Sequence, residues 1–255
     1  MIYQEYFSYT LIALLGFLPS IVWLLFYLKK DAHPEPNHKI IEIFLWGMAS
    51  ILVAGLLQVI YIWIAEAPSN WNNFLLIINS NIYSQAVFLN LILIAPITEE
   101  TLKFLIVKFR VLHDEDFDEP LDAMLYMVIV ALGFAAGENI LILINSDNIL
   151  PTLIMRFLGA TLLHTLAAGT MGYFLATGYF KTHLKYFYIT LGFITAFIIH
   201  GIYNYLIVAL EGFFKNNATL VAPTLLMLVL FLFITSIIVS ALFTNLKKYP
   251  GDCKL

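Results

Sequence analysis

Residues 121–144, LDAMLYMVIVALGFAAGENILILI, carry charge only at Asp122 and Glu138. As a helix this run is about 36 Å long at ~1.5 Å per residue, enough to cross a hydrocarbon layer of about 30 Å. It is one of several such runs. Apolar blocks cover about Phe7–Leu28, Ile40–Ala65, Pro151–Phe180, Tyr186–Leu210 and Ala218–Leu246. The stretch from Phe74 to Arg110 is apolar too, but too long for one straight span. It reads as an interfacial or broken segment followed by a span that contains Pro96, Glu99 and Glu100. Hydrophobic residues make up 61% of the chain and charged residues 12%, about half the charge of a soluble domain. Lipid offers backbone groups no hydrogen-bond partner, and the alternation a membrane barrel needs is absent. The fold class is therefore all-α: a polytopic membrane helix bundle of about seven transmembrane helices. The loops are short, so residues 1–255 read as a single membrane-embedded domain, with the polar motifs at about 90–210.

The basic residues alternate between loops. Lys29, Lys30 and Lys39 follow the first span, Lys108 and Arg110 the third, Lys181 and Lys185 the fifth, and Lys247, Lys248 and Lys254 the last. The other loops hold only Lys215. The positive-inside rule then puts the N-terminus outside the cell membrane and the C-terminus in the cytoplasm. The single cysteine, Cys253, lies in the polar tail and can make neither an internal disulfide nor a structural zinc site. It is not the fourth residue from the C-terminus, which excludes a prenylation box.

An ionisable group at mid-membrane costs about 2.5–3.5 kcal/mol and by default faces the bundle interior. Glu99, Glu100 and Lys103 lie in the third span, Glu138 and Asn139 in the fourth, Arg156 and His164 in the fifth, His200 and Asn204 in the sixth. Glu99 is eleven residues from Arg110, His164 thirteen from Pro151 and His200 fourteen from Tyr186, so each lies roughly 16–21 Å below a membrane face. The groups can meet near one level. Lys103 is i+4 to Glu99 and i+3 to Glu100, close enough to offset one of them. His200 and Asn204, i and i+4, share a face. Gly133 and Gly137 form a GxxxG that admits a neighbouring helix beside Glu138.

Each residue has a structural explanation as well. A histidine or asparagine in a span can be an interhelical link, and Glu99 with Lys103 can be a buried ion pair that sets register. Three glutamates, two histidines, a lysine and an arginine at similar depth exceed what a scaffold needs. There is no HExxH, no glycine-flanked serine elbow and no intramembrane aspartate pair. A carboxylate acting as general base on water, with a histidine partner and a donor pair for the oxyanion, fits what is present. Two other readings remain open: an ion or proton transporter, and a zinc site of two histidines and a glutamate. The apolar ends of the fifth and sixth spans beyond Arg156 and Asn204 argue against a through-path.

EETLK (99–103), EPLDAMLY (119–126), VALGFAAGEN (130–139), Arg156 with His164, HGIYN (200–204) and the early DAHPEP (31–36) follow one another over roughly residues 8–210. In this order they resemble the PrsW family of bacterial intramembrane proteases, relatives of the type II CAAX prenyl endopeptidases and bacteriocin-processing membrane proteases. EExxK in place of EExxxR favours the PrsW branch. The resemblance implies that Glu99 activates water with His164 assisting, that His200 and Asn204 bind the oxyanion, and that Glu100 supports the site through Lys103 or Arg156. Glu138 and Asn139 match the GFAxxEN element and, with Lys103 and Arg156, would be supporting residues. It also implies a glutamic-type peptidase; with no cysteine ligand in the spans and no HExxH, no metal or cofactor is expected. The partners would be the lipid bilayer and a membrane-anchored protein substrate such as an anti-sigma factor, with no nucleic acid. Nothing in the sequence sets the oligomeric state.

Overall fold

A computed structural model describes residues 2–31, 33–66, 85–114 and 117–248. Among them every regular element is helical: α1 (Ile2–Leu28), α2 (Asn37–Glu66), α3 (Gln85–Leu89), α4 (Ala95–Arg110), α5 (Pro120–Ile144), α6 (Ile149–Met155), α7 (Thr161–Ala176), α8 (Lys185–Asn216) and α9 (Val221–Leu246). A π turn at Asn90–Ile94 joins α3 to α4, another at Arg156–Ala160 joins α6 to α7, and a third, Thr177–Lys181, ends α7. Six segments are long and apolar enough to cross a bilayer: Tyr9–Leu28, Asn37–Ala65, Pro120–Ile144, Ile149–Lys181, Lys185–Phe214 and Ala218–Leu246. The chain is a multi-pass membrane protein. The stretch from α3 through α4, where a third span was expected, is not among the six; it carries Glu99, Glu100 and Lys103. The segment expected to be interfacial or broken from Phe74 onward falls outside the described residues until Gln85, as does Cys253.

Helix α5 is apolar on all sides, and such a helix belongs in the middle of a bundle. Every residue from Pro120 to Gly137 is buried. Helices α1, α2 and α7 pack around it, and α8 and α9 form the outer layer beyond α7. Small residues set the closest crossings. A Cβ on Gly133 would lie 2.0 Å from the Phe44 carbonyl oxygen, and one on Gly47 would lie 2.1 Å from that of Val130. Helices α2 and α5 thus touch backbone to backbone, and α2 is the helix that the GxxxG admits.

The start of α5 is held as firmly as its middle. Glu119 and Asp122 form a capping box, with Pro120 at the first helical turn, where its missing N–H is no loss. The Tyr126 hydroxyl donates to Glu35 at 2.5 Å, tying the DAHPEP loop onto α5. At the same end Lys39 pairs with Asp114, and Arg110 lies 3.4 Å from Glu42. These contacts fix the depth of α4 and α5 relative to α2, and so the height of the glutamates.

Candidate active site

Pro96 shapes the entry to the site. Lacking an N–H, it cannot bond the Ile92 carbonyl one turn earlier, and the helix widens into the π turn Asn90–Ile94. Helix α8 covers the loosened turn. Gly201 lies so close that a Cβ there would be 2.9 Å from the Ile92 oxygen, and Asn204 Nδ2 donates to the Leu91 oxygen at 2.8 Å. Helices α4 and α8 are thereby registered, with Glu99 and Glu100 opposite His200.

The two adjacent glutamates have different surroundings, as their ~100° separation on a helix requires. Glu100 is fully buried. Its Oε1 accepts from Lys103 Nζ at 2.7 Å and lies 2.8 Å from His200 Nδ1. Of the two partners open to Lys103, the fold selects Glu100. Glu99 faces a cavity instead. Gln58 Nε2 of α2 donates to Glu99 Oε1 at 3.3 Å, while Oε2 is buried without a hydrogen-bond partner, 3.8 Å from His200 Nε2.

His164 lies close to Glu99 but bonds other partners. Lys103 donates to its Nδ1 at 2.9 Å, and its Nε2 lies 3.0 Å from Glu138 Oε2. A lysine ammonium is a donor only, so Nδ1 accepts and Nε2–H donates to Glu138. The ring meets His200 edge to face at 5.0 Å. Arg156 joins the outer side of the network. It pairs with Glu138 through Nη1 and Nη2, and its Nε donates to Asn139 Oδ1 at 2.6 Å. Asn139 Nδ2 in turn reaches Thr161 Oγ1 at 3.1 Å and the Gly16 oxygen at 3.4 Å, so it binds α1, α5 and α7 together.

Eight of the nine expected residues thus form one chain of polar contacts, and Asn204, bonded to the Leu91 oxygen, joins them by lining the same cavity. A cavity of about 270 Å³ borders it, lined by Glu99, Glu138, Arg156, His164, His200 and Asn204 among others. It also takes in Gln58, Tyr203 and Glu211, which the sequence reading passed over. Gln58 had a signal, as the lone amide in the apolar second span. Tyr203 and Glu211 follow His200 by three and eleven residues, on the face that carries Asn204. The cavity therefore runs along α8 past Asn204 to Glu211. That corrects the expectation that the outer end of this span carries no polar path. On the opposite side Lys103 and Val107 are fully buried, with the Phe134 ring 4.6 Å from the Lys103 ammonium.

One ligand atom each from Glu99, His164 and His200 lies within 4.8 Å of the other two. All three residues line the cavity. Both nitrogens of His164 are engaged, one by a cation, which leaves two free donors where an open catalytic zinc site takes three.

Comparison with known proteins bears on this geometry. A family model described as PrsW family intramembrane metalloprotease matches residues 35–238. Curated proteins called Protease PrsW are similar over most of the chain. That of Geobacillus kaustophilus is 32% identical over 197 residues, 77% of this chain and 79% of its own. Those of Oceanobacillus iheyensis and Bacillus subtilis are 29% identical over 198 residues and 30% over 201, each covered to 83%. No solved structure matches. The match spans every helix that contributes to the cavity, and the chain belongs to the PrsW family of intramembrane proteases.

Proposed function

We propose that this chain cuts a peptide bond of a membrane-anchored protein with a water activated by Glu99. The observation that carries the reading is Glu99 Oε2. It is a buried carboxylate oxygen without a hydrogen-bond partner, on a residue that lines the cavity, and 3.8 Å from His200 Nε2. A general base has to keep a lone pair free for the proton it removes. Glu100 has an unpartnered oxygen too, Oε2, but its Oε1 is held by Lys103 and His200 and the residue does not line the cavity.

His200 and Asn204 supply the oxyanion donors. His200 Nδ1 lies against Glu100 Oε1, and Nε2 is the ring nitrogen left to donate to the substrate oxygen. Asn204 spends one amide hydrogen on the Leu91 oxygen and keeps the other for the substrate carbonyl. As the water attacks, its proton passes to Glu99 and the carbonyl oxygen gains charge beside these two donors. His164 is a positioning residue that links Lys103 to Glu138, not the assistant base that the resemblance implies.

The cavity runs from the buried Glu99 to the exposed Glu211, and Lys103, on the far side of the glutamates, is fully buried and does not line it. A one-sided cavity suits hydrolysis and leaves the transporter reading without a through-path. In this reading Glu211 is on the extracytoplasmic side, with the N-terminus outside and the C-terminus in the cytoplasm; the alternation of basic loops supports it. Access from outside suits the first cut of a single-span regulator such as an anti-sigma factor. The matched family description names a metal, but a three-ligand centre does not fit His164 as it is bonded here. The decisive experiment is cleavage of single-span substrates in proteoliposomes by the wild type and by Glu99→Gln. Equal rates would refute the mechanism.

A further inference from the structure

A second cavity of about 270 Å³ lies between α1, α7 and α9, apart from the glutamates. Its walls are one face of α1, from Trp23 to Lys30, and one face of α9, from Phe233 to Ser240, over Leu162 and Leu166 of α7. Seven residues of helix on each wall make it about 10 Å deep. Two of the wall polar groups are turned inward on the protein: Trp23 Nε1 donates to the Phe157 oxygen at 3.1 Å and Ser236 Oγ to the Leu232 oxygen at 2.7 Å. The rest of the lining, Tyr27, Lys30 and Ser240 apart, is apolar.

Its mouth is basic. Lys30 Nζ sits 4.3 Å from the Phe26 ring centre and 5.6 Å from that of Phe243, and Lys247 Nζ lies 5.9 Å from the same Phe243 ring. Two ammonium groups thus converge on one aromatic ring. Among the described residues neither takes part in an ion pair. Burial and the charge of Lys247 both push the Lys30 pKa below its usual value, the mark of a cation short of a counter-charge. A polar mouth of one sign above an apolar slot matches a molecule with an anionic head and a hydrocarbon tail.

We propose that this groove binds an anionic glycerophospholipid, with the phosphate between Lys30 and Lys247 and one acyl chain between α1 and α9. A zwitterionic lipid would bring its own ammonium up to the two lysines. Inorganic phosphate would leave the slot empty.

The test is native mass spectrometry of the full chain released from mixed vesicles of phosphatidylglycerol and phosphatidylcholine. The wild type should retain phosphatidylglycerol preferentially. Lys30→Gln and Lys247→Gln should each lower that preference about fivefold, whereas Lys29→Gln and Lys248→Gln, each with the same charge change, should keep it. Ser240→Phe, which fills the slot and spares both lysines, should lose the lipid. Excess inorganic phosphate should displace nothing. Equal retention of the two lipids overturns the proposal. So does a preference that survives loss of Lys30 and Lys247, an equal loss in Lys29→Gln or Lys248→Gln, lipid retained by Ser240→Phe, or displacement by phosphate.

Discussion

Glu100 and His200 are a hundred residues apart in sequence and 2.8 Å apart in space. With Lys103 on the same carboxylate oxygen, this contact joins the helix that bears the proposed base to the helix that bears the proposed oxyanion donors. Removing one member of such a buried group strands the others. Lys103→Met should destabilise the protein by about 3–5 kcal/mol, and Glu100→Leu added to it should restore part of that loss. Thermal unfolding in detergent reads both. A Lys103→Met protein that melts with the wild type would show that the pair is not structural.

Gln58 is the only hydrogen-bond donor to Glu99 among the described residues, and it comes from α2, outside the motif region. Gln58→Leu should accumulate normally, since the change is to an apolar residue in a lipid-spanning helix. Cleavage should fall by about 10-fold or more, the worth of a hydrogen bond to a charged group. An unchanged rate would mean that Glu99 is oriented by other contacts.

Much of this was readable from the chain, for definite reasons. Long apolar runs report spans because length and hydropathy alone determine crossing, which is why α1, α2, α5, α8 and α9 match their expected runs. The stretch expected as the third span, α3 through α4, is not among the six crossing segments, and it carries Glu99, Glu100 and Lys103. The site residues were legible because the bilayer makes each of them costly. Their pairing was not. Whether His164 meets Glu99 or Lys103 depends on how α4 and α7 are rotated about their axes, and no spacing within one helix encodes that. The π turns at Asn90 and Arg156 were equally hidden. They have no periodicity, and only Pro96 hinted at the first. Gln58 was passed over because an uncharged amide costs little enough to look ordinary.

The arrangement of basic loops makes a topological prediction. Reporter fusions after Lys39, Asp114 and His183 should all read cytoplasmic, with the N-terminus outside. The fusion after Asp114 is the sharpest, because it requires that the polar helix from Gln85 to Arg110 cross the membrane. An extracytoplasmic signal there would invert the proposed access route to Glu99.

Metal dependence separates two chemistries at one cluster. Because Lys103 and Glu138 take both nitrogens of His164, cleavage should survive prolonged treatment with a strong chelator. Metal analysis of active protein should find less than one equivalent of zinc. Activity lost on chelation and restored by zinc would mean that His164 leaves Lys103 to coordinate, and the water would then be metal-activated.

The division of labour among Glu99, His200 and Asn204 carries the most weight. Glu99→Gln keeps the shape and the bond to Gln58 but removes the base, so cleavage should fall by about 10²–10⁴. Asn204→Ala removes one oxyanion donor, for an expected loss of about 10²–10³. His200→Ala should lose a similar factor, and the double variant should lose much less than the product, because both groups serve one developing charge. Asn204 also caps the π turn through the Leu91 oxygen, so a structural loss has to be separated from a chemical one. Two measurements do this: the amount of folded protein in the membrane, and the KM for a peptide substrate. Loss of oxyanion stabilisation lowers kcat at unchanged KM and unchanged accumulation. A full multiplicative loss in His200→Ala with Asn204→Ala would show that the two act on different steps. The free carboxylate oxygen of Glu99, facing His200 Nε2, would then make His200 a partner of the base.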